Sequence, residues 1–430
     1  MRASRGHAMN TSLPLAALAA GMILAEPVCR RDGTLLLPEQ TVLTERHLRL
    51  FPVWGVGAAT VCRSEDAEQF PASEIAPETT PDSQAIEEAK ELLLPRFVHA
   101  DLAHPAMAAL YDLSLARAAR TLVCRGPASL SLPGPIPADL LPPAPETPAP
   151  GPMAIIESDP KLTSLPDVFV RINEVLNDPN STSREAADAL GKDTGLAAKL
   201  LRLVNSAFYG FPVKVDTLSR AVTIVGSRQL TTLALGISVI AIFKDLPSGL
   251  VDMRAFWKHS VGCGVIASTL AGPEAGLDVE RLFVAGLLHD MGRLVLYRNV
   301  ARHAAHALAL ARREGILLRE AEKRLFGFDH ATLGGMLLRK WRFPESLEKA
   351  VRHHHGNLSH MGMPMPALTH TADAMVGALG LGSSGEVYAP PLSPAAWDTL
   401  DVPVERLPDV VAAAEAQVDD IIRVFLPDEK

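Results

Sequence analysis

Residues with metal-ligand chemistry are concentrated in the second half of this 430-residue chain. Ten of its 14 histidines lie between His259 and His370, and they include the pair His289-Asp290 and the run 353–355. Imidazole nitrogens and carboxylate oxygens are ligands that divalent metal ions accept in proteins. Two short side chains about 100° apart on a helix can converge on one ion, or the carboxylate can bridge two. We therefore predict a metal centre; histidines that only form hydrogen bonds are the alternative.

Each candidate ligand lies in a segment whose apolar residues recur at helical spacing. The segments are FWKHSVGCGVIASTLA with His259, LFVAGLLHDMGRLVLY with His289 and Asp290, HATLGGMLLRKW with His330, SLEKAVRHHH with His354 and His355, and ALTHTADAMVGAL with Asp373. The His-Asp pair is predicted at the polar end of an apolar helix that Gly292 interrupts. Donors from separate helices form the kind of metal site found inside a helical bundle.

Prolines mark the clearest domain boundary that the sequence predicts. Ten of the 26 residues in 127–152 are proline, which favours an extended, semi-rigid linker. The chain after it is almost entirely helical in pattern, with a capping box predicted from Thr182 to Glu185. We predict a helical domain over 160–375, a helical extension over 376–430 that packs on it, and a separate helical segment over 64–126.

Residues 1–63 are predicted to form a small β-rich module, with a turn at Asp32-Gly33 and a short helical pattern over 45–54. The apolar run LPLAALAAGMILA over 13–25 is similar to a signal-peptide core, but it continues directly into this module. The four cysteines are scattered and form no CxxC pair, which fits a reducing compartment. We therefore expect a cytoplasmic location, with export as the alternative.

Charge and hydropathy exclude other classes of function. Lys and Arg total 41 against 49 Asp and Glu, so a net charge of −8 gives no global attraction to nucleic acid or to an anionic membrane. The longest uncharged apolar stretch, residues 229–243, is shorter than the roughly 20 residues of a membrane-spanning helix. The candidate DNA-recognition helix over 195–208 is mostly apolar. We expect neither DNA binding nor a membrane span.

From about Leu165 to His355 the chain resembles the HDOD branch of the HD phosphohydrolase superfamily. The segments that carry the resemblance are LLRLVNSAFYG, FWKHS, AGLLHDMG, GFDHATLGGMLLRKW and the terminal HH. Thr194 and Val225 depart from the usual proline and leucine, away from the predicted site. The resemblance implies a mainly α fold: an all-helical HD-like bundle behind the Pro-rich linker and a small α/β or β N-terminal module. That module is similar, through GM-x-LA and LLLP-x-x-x-VLT, to one found ahead of some bacterial cyclic-dinucleotide phosphodiesterase domains.

The related HD-GYP domains hydrolyse cyclic di-GMP at a centre of two or three metals, and this resemblance implies a ligand set here. Its members are His259, His289, Asp290, His330, His354, His355 and Asp373. Asp290 would bridge two ions, with His259, His289 and Asp373 on one ion and the remaining three histidines on the other. The expected catalytic residues are Asp290 and Arg293. Arg293 would pair with a phosphate oxygen.

The loop after the HH pair departs from the HD-GYP pattern. It reads HHGNLSHMGMP, in which Gly356, Ser359, His360 and Met363 replace the Glu, Asp, Gly and Tyr of the HD-GYP signature. Arg293 likewise stands where the HD-GYP domains have lysine. This difference disfavours cyclic di-GMP as the substrate.

Three functions are left open by the sequence. HDOD domains are regulatory or scaffolding modules of bacterial signalling, so the first function is regulation through contacts with signalling proteins. The second is a metal-dependent phosphodiesterase that acts on a cyclic dinucleotide or another phosphodiester, and the third is a structural module without metal. The expected cofactor is one or two divalent ions of Fe, Mn, Mg or Zn. His353, His360 and His370 are predicted bystanders, and His303 and His306 are predicted surface residues.

Overall fold

The structure is a computed structural model of the chain, and it divides into two compact units, Met1–Glu78 and Thr79–Lys430. It describes residues 10–14, 18–19, 22, 24–26, 28–29, 35–37, 43, 58–62, 83–130, 132–163, 167–178, 180–211, 213–243, 246, 250–271, 277–356 and 364–426. The predicted mainly α fold is confirmed.

The first unit contains two antiparallel strand pairs. Strand β1 (Asn10–Pro14) pairs with β4 (Ala58–Cys62), and β2 (Val28–Cys29) pairs with β3 (Leu35–Leu37). Leu18 and Leu24, from the signal-like apolar run, are buried in the small core of this unit. The predicted Asp-Gly turn, the helical pattern over 45–54 and parts of the apolar run lie outside the described residues.

The second unit is built from α-helices. Before and within the first part of the bundle these are α1 Ser83–Leu93, α2 Pro105–Arg125, α3 Pro152–Glu157, α4 Pro160–Thr163, α5 Asp167–Asn177, α6 Ser183–Gly191, α7 Thr194–Val204, α8 Leu218–Val225 and α9 Ser227–Ile242. They continue as α10 Met253–Ala271, α11 Val279–Leu288, α12 Met291–Asn299, α13 Ala301–Glu314, α14 Leu318–Phe326, α15 His330–Lys340, α16 Glu345–His353, α17 Pro364–Leu379, α18 Pro394–Leu400 and α19 Leu407–Phe425.

Local capping explains where several of these helices begin. The capping box of α6 is confirmed: the Thr182 side chain accepts from the Glu185 backbone N–H, and Glu185 accepts from the Thr182 N–H at 2.8 Å. Asp329 caps α15 by accepting from the Thr332 N–H at 3.0 Å, which makes His330 the first residue of that helix.

Helix α10 lies at the centre and packs against α11, α17 and α19. A β-carbon on Gly286 would stand only 2.4–2.6 Å from the backbone around Gly264, so glycine is required where α11 crosses α10. Helices α12 and α15 also cross closely, because Gly292 has no side chain to collide with the His330 carbonyl. Both crossings lie beside the predicted metal ligands and bring their helices within reach of one another.

The Pro-rich linker does not separate two compact units, since the second unit begins at Thr79, upstream of it. Helix α2, from the predicted separate segment, packs against α17 and α19 of the bundle. The linker itself is held by α13: His303 Nε2 donates to the Thr147 carbonyl at 3.0 Å, and His306 Nε2 donates to the Pro142 carbonyl at 3.1 Å. Proline removes N–H donors but leaves carbonyl acceptors, which explains why a linker of this composition still docks. His303 and His306 are therefore half-buried linker contacts, not free surface residues.

The chain after residue 376 continues the helical bundle, and α19 packs on both α10 and α2. Within the described ranges, no single helix combines the length and apolar character needed to cross a membrane. The bent pair α8 and α9 meets those criteria only when its two helices are taken together, with a bend of 115° between them.

Candidate metal centre

Four of the predicted ligands present their donor atoms to one small space. His259 Nε2 lies 3.2 Å from His289 Nε2, 3.3 Å from Asp373 Oδ1 and 3.5 Å from Asp290 Oδ2. His289 Nε2 lies 3.3 Å from Asp290 Oδ2 and 3.6 Å from Asp373 Oδ1. Donors about 2.1 Å from a tetrahedral ion stand about 3.4 Å from one another. These four atoms therefore have the spacing of ligands around one first-row divalent ion.

The other three predicted ligands meet on the opposite side of Asp290. Its second oxygen, Oδ1, lies 2.9 Å from His330 Nε2 and 4.0 Å from His354 Nε2, and the two imidazole nitrogens are 3.4 Å apart. His355 belongs to the same group, and its Nε2 lies 4.0 Å from Asp373 Oδ2. The structure thus brings all seven predicted ligands together, with the two oxygens of Asp290 facing different histidines.

The hydrogen bonds of two imidazoles indicate which ring nitrogen faces the cluster. Nδ1 of His289 donates to the Gly286 carbonyl at 2.7 Å, and Nδ1 of His354 donates to the Val351 carbonyl at 2.6 Å. When such a ring is neutral, its proton is on Nδ1 and the Nε2 lone pair is free to bind a metal ion. Asp290 Oδ1 is a buried oxygen that makes no hydrogen bond in the described part of the chain, despite its 2.9 Å distance from His330. Buried lone pairs that converge without a shared proton fit a divalent ion between them.

Glu322 and Arg293 support the ligands from behind. His330 Nδ1 donates to Glu322 Oε2 at 2.6 Å, and Arg293 Nε donates to Glu322 Oε1 at 3.1 Å. Arg293 Nη1 also donates to Asp290 Oδ2 at 2.8 Å and to Ser384 Oγ at 2.5 Å. A carboxylate on the outer nitrogen of a ligand histidine is the usual way in which proteins orient such a ligand.

The charges of the cluster keep its carboxylates ionised. Burial raises the pKa of Asp290, but Arg293, His289 and His330 outweigh it and hold that pKa well below its usual range. Burial likewise raises the pKa of Asp373, and hydrogen bonds from His259 and His289 lower it well below the ordinary value. Two buried anions in a group of imidazoles give the site the electrostatics of a cation site.

His354 differs from His259 and His289 in its affinity for protons. Burial lowers the pKa of His259 and His289, but the nearby Asp290, Asp373 and Cys263 outweigh it and raise both values well above the ordinary one. Burial, with His289 and His330 close by, lowers the pKa of His354 to about 3. A proton therefore competes with a metal ion for His259 and His289, but not for His354.

Cys263 and Glu322 are site residues that the sequence reasoning missed. Cys263 Sγ lies 3.9 Å from His259 Nε2 and 4.0 Å from His289 Nε2, close enough to share an ion with them. Its position four residues after His259 on one helix is a signal that could have identified it. Nothing in the local sequence pattern connects Glu322 to His330 across the turn before α15.

The His-Asp pair lies at the end of the apolar helix α11, as predicted, but the helix is interrupted at the pair and not at Gly292. Helix α11 ends at Leu288 and α12 begins at Met291, so the break falls at the pair itself and Gly292 lies inside α12. The change of direction lets His289 face α10 while Asp290 faces both histidine sets. The altered loop after the HH pair falls mostly in 357–363, outside the described residues, as does His360.

His370 is a buried structural histidine, in line with its predicted bystander role. Its Nδ1 donates to the His354 carbonyl at 2.7 Å, and its Nε2 accepts from the Ser393 N–H at 2.9 Å. Both ring nitrogens are thereby used, and the ring connects the end of α16 to Ser393 at the start of α18.

Comparisons with known proteins show what this chain is similar to. The HDOD domain model matches residues 162–357. An HDOD domain protein of unknown function from Geobacter sulfurreducens has a similar structure, with 25% identity and a TM-score of 0.54, over 63% of this chain and 96% of that one. A candidate phosphohydrolase from Shewanella amazonensis shares the fold at 22% identity and a TM-score of 0.52, over 64% of this chain and 97% of that one.

An uncharacterised protein of Treponema pallidum is 24% identical over 202 residues, which are 46% of this chain. The match spans only 38% of that relative's own length. The helical bundle and the family match point in the same direction. Over residues 162–357, this chain is similar to the HDOD domain family.

Proposed function

We propose that this protein holds two divalent metal ions and acts as a metal-dependent phosphohydrolase in bacterial signal transduction. One observation carries the proposal: the oxygens Oδ1 and Oδ2 of Asp290 face different sets of histidines. A carboxylate in that position can bridge two ions. A divalent metal pair supplies Lewis-acid charge to a phosphoryl group and makes water more acidic.

The chain's own residues would orient this chemistry. Glu322 fixes the ring of His330, and Arg293 holds the Asp290 carboxylate through Oδ2. Because Arg293 is buried and donates to Asp290, Glu322 and Ser384, its contacts support a positioning role more than the phosphate contact expected from the sequence.

Cys263 bears on which metal is bound. A thiolate close to two imidazoles favours softer ions such as Zn²⁺ or Fe²⁺ over Mg²⁺, which prefers oxygen ligands. We propose Cys263 as an additional donor on the side of His259 and His289. Burial raises the pKa of its thiol, but the two imidazoles outweigh that effect and lower it.

A second candidate function is regulation through contacts with signalling proteins in the cytoplasm, with the metals as a structural clamp. The burial of the cluster favours it, since none of the seven ligand side chains is more than 6% exposed. A buried metal centre can stabilise the fold without turning over a substrate. A cyclic dinucleotide or another nucleotide is then a regulatory ligand and not a substrate.

One experiment separates the two candidates. The purified full chain is analysed for metal by mass spectrometry and assayed with bis(p-nitrophenyl) phosphate and cyclic dinucleotides. The phosphohydrolase proposal expects about two metal equivalents and turnover that Asp290→Ala abolishes, with Asp398→Ala as an unaffected control on the surface. Full metal occupancy without turnover of any phosphodiester supports the regulatory function. Less than a tenth of an equivalent after supply of Zn²⁺, Mn²⁺ and Fe²⁺ rejects the metal centre.

A further inference from the structure

A cavity of about 120 Å³ opens beside the cluster, on the side of His259 and Asp373. Its other walls come from segments outside residues 162–357. They are Arg96, the linker residues Leu132 and Pro133, and several residues between Gly377 and Pro390. Pockets for drug-sized ligands measure roughly 300–1,000 Å³, so this cavity suits a single phosphoryl group.

Arg96 presents an unpaired cation to the cavity. Its guanidinium has no hydrogen bond or ion pair with any residue that the structure describes, and it lies against Gly380, where any β-carbon would overlap Nη1. Burial lowers the pKa of Arg96, and the charge of Arg117 lowers it further. A half-buried cation without a counter-charge is costly, and an anion in the cavity would offset that cost.

The acidic side chains of the cavity are already engaged. Glu386 accepts from the backbone N–H groups of Leu318 at 2.7 Å and Val387 at 2.8 Å. Asp373 faces the imidazoles of His259 and His289. Among the described residues, neither carboxylate of the cavity forms an ion pair with Arg96, so its guanidinium is open to an anionic ligand.

The backbone around Arg96 is fixed before any ligand binds. The Arg96 carbonyl accepts from the Ala389 N–H at 2.8 Å. Three residues later, His99 Nε2 donates to the Gly315 carbonyl at 2.8 Å, and its ring packs edge-on against Tyr388 with centroids 5.1 Å apart. A fixed backbone lowers the entropy that this segment loses on binding a ligand, which favours a recognition role.

We propose that Arg96 and the metal cluster form a phosphoryl-binding subsite, in which the guanidinium pairs with the non-bridging oxygens of a phosphate group. The pairing uses the bidentate geometry that guanidinium and phosphate share. This inference rests on the proposed phosphohydrolase function. It makes the helical segment before the linker part of the site. The competing view is that Arg96 only compensates the negative end of the α17 dipole.

Titration with inorganic phosphate tests the subsite. Isothermal calorimetry on the full chain, both metal-loaded and chelator-treated, compares wild type with Arg96→Met and Arg96→Lys. Losing a charge-assisted pair should weaken phosphate binding about 10–100-fold in Arg96→Met, with a smaller loss in Arg96→Lys. Metal content should stay unchanged, and Arg120→Met on the neighbouring α2 is the matched control. Melting curves verify that each variant is folded. If Arg96→Met does not fold, the phosphate affinity of Arg96→Lys is compared with that of wild type instead.

The possible results separate a failure of the phosphoryl-binding subsite from a failure of the proposed phosphohydrolase function. Equal phosphate affinity in wild type and in a folded Arg96 variant overturns the subsite, even if wild type hydrolyses phosphodiesters. If an Arg96 variant has a lower melting temperature but unchanged phosphate affinity, Arg96 is a helix-end contact and the subsite is overturned. The subsite is also overturned if the metal-loaded wild type binds no phosphate. Arg96-dependent phosphate binding without turnover supports the subsite while the phosphohydrolase function fails.

Discussion

Glu322 Oε2 lies 2.6 Å from Nδ1 of His330, and this buried contact links the two sides of the cluster. The other oxygen of Glu322 accepts from Arg293, which in turn holds Asp290. One carboxylate outside the proposed ligand set therefore orients both His330 and Asp290, the proposed bridging residue. The positions of the ligands depend on this network as well as on their own helices.

Replacing Glu322 by Gln should weaken metal binding by about 10–100-fold, because a neutral amide replaces the carboxylate that orients His330 and raises its basicity. A competition titration against a chelator of known affinity measures the change. Glu320→Gln, two residues earlier on α14, is the control and should bind metal like wild type. Unchanged affinity in Glu322→Gln would show that His330 is oriented by packing alone.

Acidification should release the metal. Burial and Arg293 lower the pKa of His330, but Glu322 and Asp290 outweigh them and raise it to about 9. A ligand imidazole must be neutral, so below about pH 9 the metal displaces a proton and its affinity rises with pH. Metal titrations at several pH values, with proton release followed by a pH indicator, give the slope. An affinity that stays constant between pH 6.5 and 9 would contradict His330 as a ligand.

The thermal stabilisation by metal should also grow with pH. The raised pKa of His330 stabilises the metal-free fold fully below its unfolded value of 6.5, and that contribution is lost as the pH rises through about 9. The metal-loaded protein does not depend on that proton. The increase in Tm on adding metal should therefore be larger at pH 9 than at pH 6.5, as measured by differential scanning fluorimetry. A smaller increase at pH 9 would refute this linkage.

Cys263→Ala should change which metal the protein prefers. If the thiolate is a donor, its loss weakens binding of Zn²⁺ much more than binding of Mn²⁺, because sulfur is a soft ligand. Cobalt-loaded wild type should show a thiolate-to-cobalt charge-transfer absorption that the variant lacks. Cys124→Ala, at the exposed cysteine on α2, should keep it. The same cobalt spectrum in Cys263→Ala and wild type would remove Cys263 from the ligand set.

Removing both linker contacts, with His303→Ala and His306→Ala together, should loosen the Pro-rich linker. Each imidazole-to-carbonyl hydrogen bond contributes about 1 kcal/mol to docking. Limited proteolysis and hydrogen exchange of residues 138–151 should show the increased exposure, while Arg302→Ala on the same helix leaves it unchanged. Equal protection in the double variant would mean that packing of the linker residues alone holds them.

The helical bundle could be predicted because apolar periodicity and capping residues act over one or two turns. The capping box at Thr182 and Glu185 is such a local signal, and it formed as predicted. The break falls at His289-Asp290, two residues before Gly292, whose missing side chain permits the close crossing of α12 and α15 instead. The docking of the linker was missed because its acceptors are backbone carbonyls, which the residue types do not reveal.

The sequence by itself determined the chemistry of the donors, since imidazole and carboxylate are properties of residue type. It also determined that the donors lie on helices, because helical periodicity is local. Tertiary structure alone decided which oxygen of Asp290 faces which histidines, that Ser384 meets Arg293 across 91 residues, and that Arg96 reaches the cavity. The physical reason is that these relationships depend on how distant helices cross, and crossings are set by the packing of the whole core.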